Sequence, residues 1–335
     1  MVFLARSVPT ARHCVHRAVA CALQQPQRRM DLGTSRHSSS LSCGLVGLPN
    51  IGKSTMFNAL TNMSVPAENY PFCTIDPHVG MVEVQDPRLD KLQQLSQSKR
   101  TVPAAMQFVD IAGLVRGASA GAGMGNSFLH NIREVDAILH LVRCFDSPDV
   151  VRGDGDISNG MINPADDAAV IEMELQLADL ATVEKASGKK KRWDADTIAA
   201  HEKVLAGLQA GVSVRHLGLT AAESELAVKP YNLLSAKPVL FLANLGLGDD
   251  PTENLHVAAL EDYVAQLGGS DAISTVCAVL EDELGQIECP DERVEFVPSA
   301  GPTYHRACLG LSLYLSPTRA RCSAVLSSFF AFKPN

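Results

Sequence analysis

No stretch of this sequence offers the roughly 18 uninterrupted apolar residues that a membrane helix needs, so no helix of it spans a bilayer. Its nine cysteines include no C-x-x-C pair and none of the Cys/His spacings of a zinc site. Free thiols in a reducing compartment are therefore expected rather than a disulfide framework. Positive charge is also short: 29 lysines and arginines face 37 acidic residues, a net charge of −8. The first forty residues run the other way, with Arg6, Arg12, Arg17, Arg28, Arg29 and Arg36, no lysine, and Asp31 as the one acid. Six arginines less one aspartate give +5, so the remainder stands at −13. That excludes a surface that coats nucleic acid and confines any such contact to a local patch. Neither DNA nor a membrane is expected as a partner.

What is present centres on Gly47-Leu48-Pro49-Asn50-Ile51-Gly52-Lys53-Ser54, a glycine, four residues, then Gly-Lys-Ser. This is the spacing of a phosphate-binding P-loop. Polyanionic phosphate is best held by several inward-pointing backbone N–H groups on one tight loop, and glycine permits the geometry and close approach this needs. Asn50, Ile51, Gly52, Lys53, Ser54 and Thr55 are thus candidate nucleotide contacts. Lys53 is placed to reach the β and γ phosphates, and Ser54 to offer a hydroxyl to Mg²⁺. The flanks agree: Leu41 to Val46 is a short apolar run suited to a buried strand, and Thr55 to Thr61 begins a helix.

Further along, Asn69 to Pro77 is a proline-punctuated loop in which Thr74 can present a hydroxyl to the metal, followed by a strand from Val79. Met106 to Asp110 reads as another buried strand, and Asp110-Ile111-Ala112-Gly113 supplies Asp-x-x-Gly at its end. An aspartate there can hold the Mg²⁺ shell while the Gly113 N–H follows the γ-phosphate. Two phosphate motifs in order, each at a strand end, define an α/β nucleotide-binding fold. The glycine-dense segment from Gly117 to Asn126 is expected to move with nucleotide state.

At this point the sequence resembles a known family, the Obg-like ATPases of the YchF type, among the translation-associated P-loop NTPases. The resemblance rests on the P-loop, on Asn69 to Pro77, on Asp110 to Ser119 and on Asn126 to Arg133, and runs over about residues 41–296. It implies a Ras-like G domain with a helical coiled-coil insert and a small β-rich C-terminal TGS domain. It implies Mg²⁺-dependent ATP binding and slow hydrolysis, weaker use of GTP, and association with ribosomes or ribosomal RNA. Lys53, Asp110, Gly113 and Asn50 take the catalytic positions; Asn50 stands where the family's relatives place a monovalent cation, so K⁺ is a candidate cofactor. Leu114 occupies the position where most Ras-like GTPases carry a water-orienting glutamine. On the base side, Asn244, Leu245, Cys277 and Ala278 are implied contacts. There the chain departs from its relatives: GTPases carry Asn-Lys-x-Asp, this family Asn-x-x-Glu, and here Asn244-Leu245-Gly246-Leu247 ends on an apolar residue. Leu247 cannot accept hydrogen bonds from guanine, and Asp249 or Asp250 can substitute only if the loop bends.

The organisation expected is a leader over 1–40, a nucleotide-binding domain over 41–163 and 235–296, a helical insert over 164–234, and a divergent tail over 297–335 as a TGS remnant. In the insert, Val170, Met173, Leu177 and Leu180, and then Ile198, His201, Leu205 and Leu208, recur at helical spacing and predict two helices paired along those faces. The turn between them, Gly188 to Trp193, is basic and carries the only tryptophan; it is either a solvated tip or a contact for ribosomal RNA phosphate. The leader, rich in arginine and serine and poor in acid, resembles a transit peptide, which predicts a mitochondrion or plastid; otherwise the protein is cytoplasmic. The rival functions are a GTPase of the same fold and a nucleotide-dependent ribosome-binding module with negligible turnover.

Overall fold

The structure is a computed structural model and describes residues 41–62, 78–84, 87–111, 124–146, 162–188, 193–268, 271–287 and 292. In chain order these form β1 (Leu41–Val46), α1 (Lys53–Asn62), β2 (Val79–Val84), α2 (Pro87–Ser96), β3 (Ala104–Asp110), α3 (Met124–Glu134), β4 (Ala137–Arg143), α4 (Pro164–Ser187), α5 (Ala195–Gln209), α6 (Ala221–Ala227), β5 (Val239–Asn244), α7 (Leu255–Gln266), β6 (Ala272–Val276) and α8 (Ala278–Gln286). The six strands make one sheet in the order β2-β3-β1-β4-β5-β6. Only β2 is antiparallel to its neighbour.

The central strands are apolar without alternation because helices cover both faces, and every residue of β4 and β5 is buried. Register sets where the loops emerge. Leu45 lies beside Asp110, Val46 beside His140, and Asn244 beside both Arg143 and Val276. The carboxyl ends of β1, β3, β4, β5 and β6 therefore share one edge of the sheet, where open α/β sheets bind ligands.

Helix α4 is well specified at its ends. Asn163 caps it by accepting from the Asp166 N–H, Pro164 opens the first turn, Asp166 and Asp167 follow, and Lys185 stands in the last turn. Its buried face corrects the sequence reading. Met173 and Leu177 are 50% and 42% exposed, whereas Val170, Ile171, Leu175 and Ala178 enter the main core. Glu172, Glu174 and Asp179 are buried as well. Apolar periodicity misplaced the face because much of it is acidic.

Glu172 and Asp179 take partners distant in sequence. Glu172 accepts from Arg215 Nη1 at 2.8 Å and from the Ser213 hydroxyl, and Arg215 also donates to Asp271 at 3.0 Å. Asp271 in turn bonds His216 Nε2 at 3.0 Å. Asp179 accepts from the Leu234 and Ser235 N–H groups at 2.8 and 2.7 Å. Arg215 is held more firmly charged than usual: burial works against its charge, and Glu172 and Asp271 outweigh that. Beyond this network a second core forms around Val183, Ala200, Val204, Leu208, Val214 and Leu233. Here His201 and Leu208 of α5 are buried and Leu205 packs against them. Trp193 stacks on the His201 ring, 4.1 Å between centroids, and Tyr231 meets it edge-on at 5.0 Å.

Candidate functional site

The loop from β1 to α1 folds tightly because of its backbone conformations. Asn50 and Gly52 both take positive φ, 62° and 89°. A side chain at Gly52 would meet Asn244 Nδ2 at 2.5 Å, and one at Gly47 would approach the Leu141 carbonyl to 2.8 Å. Both positions therefore require glycine. The first helical bond runs from the Met56 N–H to the Gly52 carbonyl at 2.9 Å. No acidic residue of α1 itself occupies its first turn, so nothing within the helix offsets its positive end.

Lys53 and Ser54 stand in that turn, Ser54 exposed and Thr55 half-buried behind it. The β1–β3 register brings Asp110 alongside, and Lys53 Nζ forms an ion pair with Asp110 Oδ1. Both side chains are nearly covered, at 11% and 14% exposure.

On the far side, Asn244 is 3% exposed and bridges two loops. Its Nδ2 donates to the Ile51 carbonyl at 2.8 Å, and its Oδ1 accepts from the Ala278 N–H at 3.0 Å. The sequence reading brought Asn244 to the base; the geometry adds that it fastens the P-loop to the start of α8. Leu245 is buried in the main core and gives its N–H to the Val276 carbonyl at 2.7 Å, so its side chain faces away from the loop surface. Cys277 is buried too, and burial pushes its thiol up, keeping it neutral. Leu247 is 66% exposed. Thr74, Gly113 and Leu114 lie outside the described residues, as do residues 189–192, the leader and the tail from 293 on.

One positioning residue, Asn254, escaped the sequence reading, and Asp249, read there as a possible substitute at the base, has a different task. Asn254 donates to the Cys144 carbonyl at 3.0 Å while capping α7 through His256 N and Val257 N, tying the ends of β4 and α7 together. An asparagine ahead of an apolar helix was the available signal. Asp249 accepts from the Gly246 N–H at 2.9 Å and closes the loop after β5; nothing in the sequence distinguished it from Asp250.

Glycine-shaped backbone, a helix N-terminus, a lysine and a carboxylate thus converge at the carboxyl edge of a sheet with order β2-β3-β1-β4-β5-β6. This is the arrangement of a P-loop nucleotide-binding protein of the Ras-like type. Residues 42–168 match the family described as 50S ribosome-binding GTPase. The chain is 44% identical over 266 residues to the Ribosome-binding ATPase YchF of Pasteurella multocida, covering 77% of this chain and 70% of that one. It is 42% identical over 271 residues to that of Bacillus subtilis, covering 78% and 72%. The chain belongs to the YchF family. The solved Schizosaccharomyces pombe YchF GTPase has the same fold, with a TM-score of 0.68 at 28% identity over 87% of this chain and 75% of that one.

Proposed function

We propose that this chain binds Mg²⁺-ATP and hydrolyses it slowly, uses GTP less well, and acts as a nucleotide-dependent switch on the ribosome. The observation that carries this reading is the pairing of Lys53 with Asp110 beside the N-terminus of α1, whose own first turn holds no acid. A polyphosphate entering there exchanges Asp110 for phosphate oxygens at Lys53, and the P-loop amides supply further donors. The Ser54 hydroxyl and the freed Asp110 carboxylate are hard oxygen donors, which fits Mg²⁺. When bound, the ion neutralises charge on the β and γ oxygens. Water then attacks the γ-phosphorus in line, and the β–γ bridging bond breaks to release ADP and phosphate. Lys53 and the backbone N–H groups stabilise the charge that develops.

Leu114 has no polar atom with which to orient that water; Asn50 is the residue that would hold a K⁺ ion, which would supply the missing positioning. In this reading residues 41–163 and 235–296 are the nucleotide-binding domain and 164–234 an insert, and residues 189–192 are a local contact for ribosomal RNA. The ribosome enters through the relatives, which are named ribosome-binding ATPases. The arginine-rich leader is assigned to import into a mitochondrion or plastid, and a reporter fused to residues 1–40 that stays cytosolic would refute that part.

The test is direct titration of ATP and GTP with and without Mg²⁺, followed by single-turnover hydrolysis with and without ribosomes. Mg²⁺-dependent ATP binding with turnover that ribosomes accelerate is expected. Clear preference for GTP would overturn the assignment of substrate, and no turnover under any condition would leave a binding module.

A further inference from the structure

Helix α2 joins the edge strand β2 to β3, and neither hydrophobic core includes any residue of it. From Arg88 to Val102 no residue is buried. Of the nine large apolar side chains left exposed among the described residues, three fall in this short stretch: Leu92 at 57%, Leu95 at 83% and Val102 at 62%. Arg88 stands four residues before Leu92 and Lys91 four before Leu95, so two cations and two leucines share one face of the helix. Gln97, with φ of 50°, takes the chain out of the helix, and Ser96 closes the last turn by donating its hydroxyl to the Leu92 carbonyl at 2.6 Å. Lys99 and Arg100 follow, both exposed. Charge sets the stretch apart as well. Four cations less Asp90 give +3 over residues 88–102, whereas residues 41–335 as a whole stand at −13. Lys91, Lys99 and Arg100 enter no ion pair with another described residue.

We propose that α2 and the turn after it form a docking surface for a partner protein, which engages it with an acidic amphipathic helix. The apolar stripe of such a helix covers Leu92 and Leu95, and acids flanking the stripe meet the cations around them. RNA would satisfy only half of this surface. Phosphate would take the cations, but bases stack on aromatic or guanidinium planes, and with no aromatic residue in 88–102 the two leucines would gain nothing. An anionic membrane fits no better, because a helix lying in its surface presents a broad apolar face and α2 offers two leucines on one face of ten residues. At about 1.5 Å per residue α2 is about 15 Å long, so the interface falls below about 1,200 Å² and the complex is a transient one. Both ends of the stretch are anchored where Val84 pairs with Ala104, at the end of β3 opposite to Asp110. The surface is therefore separate from the nucleotide edge and does not rest on that assignment.

The probe is a fluorescent peptide of about 18 residues, about five helical turns, with leucines at i, i+3, i+4 and i+7 spacing and glutamate and alanine elsewhere, titrated against the full chain. It is expected to bind about tenfold or more tighter than the same residues shuffled to spread the leucines round the helix, and than polyglutamate of equal charge. The double variant Leu92→Ser with Leu95→Ser, and separately Lys91→Glu with Lys99→Glu, are each expected to weaken it about tenfold or more. Melting temperatures of both are expected to stay at the parent value, since the altered side chains are exposed. Leu255→Ser, which changes a leucine of the same 83% exposure elsewhere, is expected to leave binding within about twofold. Polyglutamate that binds as well as the peptide, or a leucine double variant that binds like the parent, would reduce the surface to a nonspecific basic patch and overturn the proposal. Oligouridylate, or vesicles of phosphatidylserine and phosphatidylcholine, bound more tightly than the peptide and lost in the lysine double variant would give the surface to RNA or to a membrane instead. Failure of the peptide to bind the parent would overturn the proposal outright.

Discussion

Asn244 donates to the Ile51 carbonyl at 2.8 Å across 193 residues of sequence, and the same carboxamide accepts from the Ala278 N–H. One buried side chain thus holds the P-loop and the β6–α8 loop at a fixed separation. Asn244→Ala leaves a carbonyl and an N–H buried without partners, at about 1–3 kcal/mol each when fully unsatisfied. Loss of about 2 kcal/mol in denaturant unfolding is expected, with nucleotide affinity down about tenfold or more. Asn244→Asp keeps the acceptor for Ala278 but has no donor for Ile51. With an unpaired carboxylate buried against that carbonyl it is expected to be no more stable than Asn244→Ala, and equal stability of all three proteins would show that the bridge contributes nothing.

The ion pair of Lys53 with Asp110 gives the ligand-free protein a reason to keep its lysine in place. Lys53→Ala is expected to abolish Mg²⁺-ATP binding and to lower ligand-free stability by about 1 kcal/mol, since Asp110 is left nearly covered without its cation. A double-mutant cycle with Asp110→Asn is expected to return a coupling of about 1 kcal/mol. Zero coupling, or unaltered ATP affinity in Lys53→Ala, would refute the pairing or the P-loop role respectively.

Acid sensitivity follows from His140 on β4, 2% exposed, its ring 5.1 Å from that of Phe241. Burial, and secondarily the charge of Arg215, lower its pKa to about 3. The unfolded chain takes up this proton near pH 6.5 and the folded protein does not, so stability falls as pH drops from about 6.5 toward 3, by up to about 1.4 kcal/mol per pH unit from this group. His201, lowered by burial alone, adds to the slope. Asp179, raised by burial despite its hydrogen bonds, works against it. His140→Leu is expected to be distinctly less acid-sensitive than the parent between pH 6.5 and 4.5 in urea midpoints; parallel curves would remove His140 as a cause.

Much of this is legible in the sequence, and for a definite reason. Buried parallel strands are largely apolar, so β1 and β3 stand out in the sequence, and the P-loop and Asp110 follow from their positions at strand ends. The face of α4 did not, because Glu172, Glu174 and Asp179 lie inside it. Glu172 and Asp179 find partners in Arg215, Leu234 and Ser235, which are distant in sequence. The lock on Asp249 was equally hidden, since an aspartate that closes a turn and one that reads a base look alike in a string of letters.

The conformation of Asn50 decides how its role is tested. With φ at 62° it occupies the left-handed region, where alanine is strained and glycine is not. Asn50→Gly therefore removes the carboxamide while sparing the loop. Parent turnover is expected on the order of 10⁻³ s⁻¹ or below without ribosomes, faster when K⁺ replaces Na⁺, with that gain absent in Asn50→Gly and ATP affinity nearly unchanged. Equal rates of the parent in the two salts would eliminate the cation.

Trp193 is the single tryptophan of the chain and rests against His201 over the second core. Its emission consequently reports one region and no other, without a label. Fluorescence of this ring follows the packing around Val204 and Leu208, whereas circular dichroism averages over every helix. Coincident melting curves from the two signals mean that both cores share one cooperative transition, and curves that part mean that the helical layer comes undone on its own while the sheet still stands.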